Sequence, residues 1–427
     1  MARAGEPSVG IRALRTTIVG RSPSALAVDT QTGHVFVANV GEPNHPGMVS
    51  MLDGTTGALM RTITVGALPS AVTVDGRHGR VYVVNDKSVS ILDARSGRVV
   101  STLATSPGLS AVASDESTGR TFITTGGGVG TTGSVRVFDT ARGTPVRTLH
   151  LDISFALAID EHARRVLIAT DKLTRTGYSR GGVTILDSRS GQLLRRVPLN
   201  GFVADVLVDG RRGRAFVLGA GGGALTADRV SILDTRNGRL LRTIGVGRSA
   251  GGMALEERTG HLFIVSNANE GGNVTTLDAW SGRVLRTARL PYAPTGMTVS
   301  ETSGRIFIVH GRDSLVSVLD ARTGNLLRSF SVNQDPKAVA VDDHTGRVFV
   351  ASNDLSNGVE SGVWHPTLLH NIVRALANIR RLPRQGMTGS VSMCDYPAAR
   401  SGRSGWPAKT RWSAGRTAWP CFLRVER

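Results

Sequence analysis

The sequence predicts an all-β protein assembled from a repeated four-stranded antiparallel sheet, and three observations carry that prediction. A motif pair recurs eight times: A-L-A-V-D-T-Q-T-G-H-V-F-V-A-N at residues 25–39, then V-S-M-L-D-G-T-T-G-A-L-M-R-T-I-T-V at residues 49–65. Each half is two short alternating apolar runs around a Gly-containing turn, which is the pattern of a β-hairpin. Two hairpins make one sheet, and a period of roughly 40–50 residues places such sheets in a radial or stacked array.

Within a unit the strands are taken as A to D, from centre to rim. Strand A is expected at residues 25–29, 71–75, 111–115, 156–160, 205–209, 252–256, 296–300 and 338–342, ending on Asp except at Glu256 and Ser300. A carboxylate there accepts hydrogen bonds from the following turn. The Gly of T-G-H, H-G-R or T-G-R supplies the positive φ. The fourth unit reads E-H-A-R-R instead, so its A–B hairpin is expected to be the least regular. Strand B follows as V-F-V-A-N and its variants. Strand C is V-S-x-L-D-like, starting at Val49, Val89, Val135, Val183, Val230, Val274 and Val316. Strand D is of the L-x-R-T-I-x-V type, with Arg, Ser or Thr on alternate positions as suits a half-exposed outer strand.

Composition fits this picture. The chain of 427 residues is 40% hydrophobic and 5% aromatic, enough for a core of Val, Leu, Ile and Ala, and its 52 Gly serve mainly in turns. No apolar run approaches bilayer length, and the first ten residues carry no apolar stretch of a secretory signal. The two cysteines, Cys394 and Cys421, both lie near the C-terminus, so the repeats are expected to hold by packing and a Cys394–Cys421 disulfide is the minor reading. Net charge is +18. Residues 355–427 hold 11 of the basic and 3 of the acidic residues, which concentrates much of that charge in a short segment.

The tandem A-V-A-V-D…T-G-R-V-F-V-A-N…V-S-V-L-D…L-R-T-I-x-V resembles the YVTN-repeat β-propellers of bacterial and archaeal surface-layer-type proteins, over residues 11–354. The resemblance implies a β-propeller within the lactonase-like propeller superfamily, and an extracytoplasmic or cell-surface setting. It implies no single activity. The ends refine the topology. Residues 11–19, I-R-A-L-R-T-T-I-V, match strand D with no A, B or C before them, while residues 337–351 supply A and B at the other end. Residues 389–395, G-S-V-S-M-C-D, resemble strand C. The expectation is an eight-bladed ring, with seven blades as the alternative, whose last blade takes A, B and C from the C-terminal side and D from the N-terminus.

The domain reading is therefore an N-terminal extension (1–10), propeller repeats (11–354), an insertion (355–388), a last-blade strand (389–395) and a basic irregular tail (396–427). In the insertion, Leu368, Ile372, Leu376 and Ile379 fall at helical spacing between Pro366 and Pro383. That amphipathic stripe either packs on the ring or docks a membrane surface or partner. The tail holds Trp406, Trp412 and Trp419 among Arg and Pro without the repeat, and reads as poorly structured or as a frameshifted end.

Enzyme motifs are weak. G-x-G-x-x-G at residues 128–133 runs straight into strand C rather than a helix, so it reads as a B–C loop. G-R-S-A-G at residues 247–251 spells a nucleophile elbow around Ser249, but it joins strand D to the next strand A. Asn273 begins a glycosylation triplet inside a strand, and His34 and His261 stand where other units have Arg. The repeated Asp residues fit turn caps better than a metal ring. No catalytic, metal or cofactor residue is assigned, and no cofactor is expected. The elaborated face is placed at the long B–C loops, residues 41–47, 126–133, 171–182 and 219–228, with Arg175, Tyr178 and Arg180 the most contact-capable group. The functional expectation is a non-catalytic scaffold for a protein or small-molecule partner. Alternatives are a lactonase-like hydrolase with a carboxylate, His and Arg at the channel mouth, and weak nucleic-acid binding through the basic surface.

Overall fold

The computed structural model describes residues 12–41, 45–105, 109–125, 133–173, 179–199, 201–220, 228–268, 271–354 and 388–395. Residues 355–387 (including the helix expected between Pro366 and Pro383), the tail (396–427) with Cys421, and the loop residues Arg175 and Tyr178 lie outside the described residues. Within them the chain forms four-stranded antiparallel sheets, eight in number, each with its strands in the order the repeat dictates.

Seven sheets are blades of four consecutive strands. Blade one runs Pro23–Asp29, His34–Asn39, Met48–Asp53 and Leu59–Thr64. Blades two to seven follow in the same order, the seventh closing on strand D at Leu326–Ser331. The remaining sheet is composite. Its inner strands are Pro336–Asp342 and Arg347–Asp354; Thr388–Asp395 pairs with the second of these on one side and with the N-terminal strand Arg12–Val19 on the other. The innermost strand of blade one packs against those of blade two and of the composite sheet.

The core lies between blades, as the strand pattern requires. Strand B sits inside each sheet and presents both faces to neighbours, so it reads as a continuous apolar run. Its aromatic position is fully buried in almost every blade: Phe36, Tyr82, Phe122, Phe216, Phe263, Phe307 and Phe349. Burying one such ring contributes about 2–3 kcal/mol. The layer between blades one and two joins Phe36, Met51 and Ile63 to Val81, Val83 and Leu92. The layer closing on the composite sheet joins Leu26, Val35 and Val37 of blade one to Val19, Ala340, Phe349 and Ala351. Strand A bears a one-residue bulge in six sheets, for example between Pro23 and Ala25 and between Pro336 and Ala338. A bulge sharpens local twist, which suits strands crowded around an axis.

Neighbouring blades are also tied by a repeated polar clamp. The strand-D arginine of one blade donates to a backbone carbonyl in the C–D turn of the next: Arg61 to Ser96, Arg195 to Asn237, Arg242 to Ser281 and Arg286 to Thr323. Arg15 of the N-terminal strand donates to Thr56 of blade one in the same way. The turn must lie close for this contact, and its Gly makes room. Gly238 has φ +68, and a Cβ there would meet Ile185 Cδ1 at 2.7 Å and Val197 Cγ2 at 3.1 Å. The irregular fourth unit also resolves simply: Arg164 itself adopts the left-handed φ of 55 that Gly holds elsewhere.

Gly238→Ala combines a left-handed backbone with a collision against blade four, and should cost about 1–3 kcal/mol in urea unfolding. An unchanged midpoint would mean that the turn is not seated on the preceding blade.

Candidate binding site at the channel mouth

Because strand A is innermost, every A–B turn opens at the same end of the ring, close to its axis. The carboxylate ending strand A is buried and caps that turn. Asp29 accepts from the Gln31 N–H and the Thr32 hydroxyl, and Asp115 from the N–H groups of Ser117 and Thr118. The repeated Asp residues are thus spent on local structure. Among the described residues, no three His, Cys, Asp or Glu side chains gather as a metal-ligand set.

The next residue after the cap is different in kind. It is Thr30, Gly76 or Gly210 in three units but Glu116, Glu161, Glu257, Glu301 and Asp343 in the other five. These half-buried carboxylates stand at one mouth in two arcs, among A–B turns that also carry exposed Arg77, Arg164, Arg211 and Arg258. On the first arc, burial is the largest cause holding the Glu116 carboxyl above the usual range, and the charges of Asp75 and Glu161 add to it. On the second, burial again leads in raising Glu301, opposed first by the hydrogen bond from the Glu257 N–H and last by Arg211, with the charges of Glu257 and Asp343 adding to the rise. The carboxylates also link neighbouring blades. Glu301 accepts the Glu257 N–H at 2.9 Å, and Asp343 accepts the Ser300 hydroxyl at 2.6 Å and the Glu301 N–H at 3.3 Å. Arg211 Nε pairs with Glu257 at 3.3 Å.

The first arc also holds a His bound to a strand-A carboxylate. His78 Nδ1 lies 3.0 Å from both Asp75 oxygens. A carboxylate can only accept, so the proton sits on Nδ1 and Nε2 is left as the basic nitrogen. Asp75 is buried and also accepts the Ser114 hydroxyl at 2.7 Å, which fixes the pair.

The residues singled out from sequence fall elsewhere. Ser249 takes φ 54 in the D–A connection, and its carbonyl accepts from Asn267, an ordinary turn role. Asn273 is ladder-paired with Ser266. Gly133 begins strand C of blade three. His34 and His261 do more than replace Arg: their Nδ1 atoms bond Ala94 O and Ala321 O in the C–D turns of the following blades. Loop residues 42–44, 126–132, 174–178 and 221–227 lie outside the described residues. On their end of the ring, buried His310 of blade seven holds Ser317 Oγ with Nε2 (2.9 Å) and Ala293 O with Nδ1 (3.3 Å). It occupies the place of Asn39 and Asn85, which bond Ser50 and Ser90 in blades one and two. A shallow cleft lined by Pro198, Leu199, Arg229, Ser231 and Thr243 separates blades four and five.

With the geometry in place, comparison with known proteins decides the family. Residues 132–363 match the PQQ_2 family model, described as outer membrane protein assembly factor BamB. The chain belongs to that family. Its YVTN-like repeats agree with this at the level of the propeller and not of the named family. No curated protein matches the chain in sequence. Among solved structures, BamB from Moraxella catarrhalis aligns at 13% identity and TM-score 0.57, covering 91% of this chain and 100% of that one. Saccharomyces cerevisiae Sqt1 aligns at 12% and 0.64 (80% and 96%), and Kuenenia stuttgartiensis hydrazine synthase at 15% and 0.57 (72% and 97%). At such identities the likeness is one of fold.

The raised carboxyls predict a pH signature. A folded pKa above the unfolded value means that the native state holds the proton more tightly. Stability is therefore lost as pH rises from the ordinary carboxylate range through the folded value. Glu301→Gln should match the native protein at pH 4 and melt ~1–2 °C higher at pH 8. An equal or lower melting point at pH 8 would contradict the placement of Glu301 in a carboxylate arc.

Proposed function

We propose that this protein is a non-catalytic propeller serving as a rigid binding scaffold outside the cytoplasm or at the cell surface, whose carboxylate mouth receives a cationic segment of a partner. One observation carries the reading: the division of labour among charged side chains. The repeated Asp and Arg residues cap turns, pair within blades or clamp neighbouring blades. The carboxylates one place beyond strand A depart from the repeat and collect at one mouth. A mouth held by turns already fixed in place loses little freedom when it binds. The family description as an outer membrane assembly factor supports the extracytoplasmic setting. Fold likeness alone supplies no reaction, since it extends from BamB to a synthase.

In this reading the composite sheet is the eighth blade of a closed ring, and the N-terminal strand is its outer member. Deleting residues 1–19 should lower the melting temperature by about 5 °C or more, because an edge is opened and Val19 leaves the core. An unchanged transition would refute closure by that strand.

A lactonase-like hydrolase is the second reading, favoured by the His78–Asp75 pair beside Glu116. One experiment weighs the two. A fluorescent hexalysine peptide should bind the full chain, and Glu116→Gln/Glu161→Gln/Glu301→Gln should weaken it about tenfold. Undiminished binding in that variant would sink the scaffold site. Lactone hydrolysis abolished by His78→Ala would install the hydrolase in its place.

A further inference from the structure

A second surface lies at larger radius on the same end of the ring, three strands outward from the carboxylates. It is built by the C–D turns. At the second position after the capping Asp, the side chains of Arg95, Arg189, Arg236, Trp280 and Arg322 are exposed in blades two, four, five, six and seven, and exposed Arg142 stands one place later in blade three. Strand D then begins with exposed aliphatic residues: Val99 and Val100 in blade two, Leu193 and Leu194 in blade four, Leu326 and Leu327 in blade seven. The ring sets each turn at one height, so five arginine tips and Trp280 run along one rim through six consecutive blades, with exposed aliphatic residues at the start of strand D behind them. Apolar residues repeated at one register and left in water are not the scattered exposure of an ordinary surface. Trp280 is 63% exposed. The Arg214 guanidinium lies 4.4 Å from its ring centroid, which holds the indole in place at the turn.

We propose that this rim docks on an anionic lipid bilayer. Charge complementarity and shape choose the occupant together. Turns that end at one height meet a flat, extended surface all at once, and weak contacts then add as a multivalent set. Anionic headgroups satisfy the arginines, while the aliphatic pairs and the indole enter the headgroup–acyl boundary, as interfacial protein segments do. A nucleic acid would satisfy the same arginines but leave the aliphatic pairs in water, and its single-stranded forms ask for interleaved aromatics where this rim offers Trp280. The carboxylate mouth is a separate element of the same face, reached by different residues.

The test is co-sedimentation of the full chain with phosphatidylcholine vesicles containing about 30% phosphatidylserine, beside vesicles of phosphatidylcholine alone. Partition should favour the anionic vesicles and fall as salt rises. Arg189→Glu/Arg236→Glu/Arg322→Glu should reduce it by about tenfold or more, with unchanged melting, since these side chains point into solvent. Vesicle binding should shift tryptophan emission to the blue, and Trp280→Phe should remove part of that shift. Equal partition onto both vesicle types, or an arginine variant that binds as the native chain does, would overturn the proposal. So would duplex DNA that binds through these arginines while anionic vesicles do not. The glutamine variants of the mouth leave this binding intact, so failure of the peptide site and failure of the rim are separable.

Discussion

The structure depends on one recurring constraint: each C–D turn must seat against the blade before it. A sheet with two apolar faces cannot exist alone, and the burial of Phe36, Phe216 or Phe349 requires a neighbour on each side. Apolar packing supplies the energy without fixing the angle between blades. The turn does that. Its Gly removes the Cβ that would strike the neighbour, and the strand-D arginine reaches over to the turn carbonyl. Because Arg15 makes this contact with Thr56, the N-terminal strand is held by the same device as the outer strands of blades one, four, five and six.

A frame so determined has consequences for chemistry. Arginines on strand B pair with the Asp ending strand C of the same blade, as in Arg120–Asp139 and Arg305–Asp320, both at 2.6 Å. The C-end carboxylates meanwhile accept turn N–H groups, and the Thr56 N–H leads in lowering the Asp53 carboxyl below its usual range. Charge tied into turns in this way is poorly placed to act on a ligand. What departs from the repeat is therefore more informative than what obeys it. The Glu and Asp following strand A, which replace Thr or Gly of other units, are such departures. The solvent-facing arginines of the C–D turns instead recur at one register with their side chains exposed. The two sets lie at inner and outer radii of one end, the inner carboxylates sharing the A–B turns with Arg77, Arg164, Arg211 and Arg258.

The candidate mouth was readable in part. A column taken through the eight units at the residue after the strand-A carboxylate shows Glu116, Glu161, Glu257, Glu301 and Asp343. Attention to the conspicuous Asp before them, and to the longer B–C loops, drew the sequence reading to the opposite end. The His78–Asp75 pair was hidden differently. H-G-R in that unit reads as a variant of T-G-R, and only the bend of the turn brings the ring within 3.0 Å of the carboxylate. His34 and His261 likewise looked like substitutes for Arg, although each spans to the next blade.

By itself the sequence determined the strands, their order in each sheet and the propeller class, because hairpin periodicity and turn glycines are local properties repeated many times over. It determined as well which residue caps each turn, since a carboxylate two or three residues before a free N–H needs nothing from elsewhere in the chain. Tertiary structure alone decided which of these residues meet across blades. Glu116 and Glu161 are 45 positions apart in sequence yet act on each other's charge. The arginine tips come from turns about forty positions apart and share a face only because the ring turns through a fixed angle at each blade. That angle is set where each C–D turn seats on the preceding blade, a contact that depends on both partners and is therefore written in no single repeat.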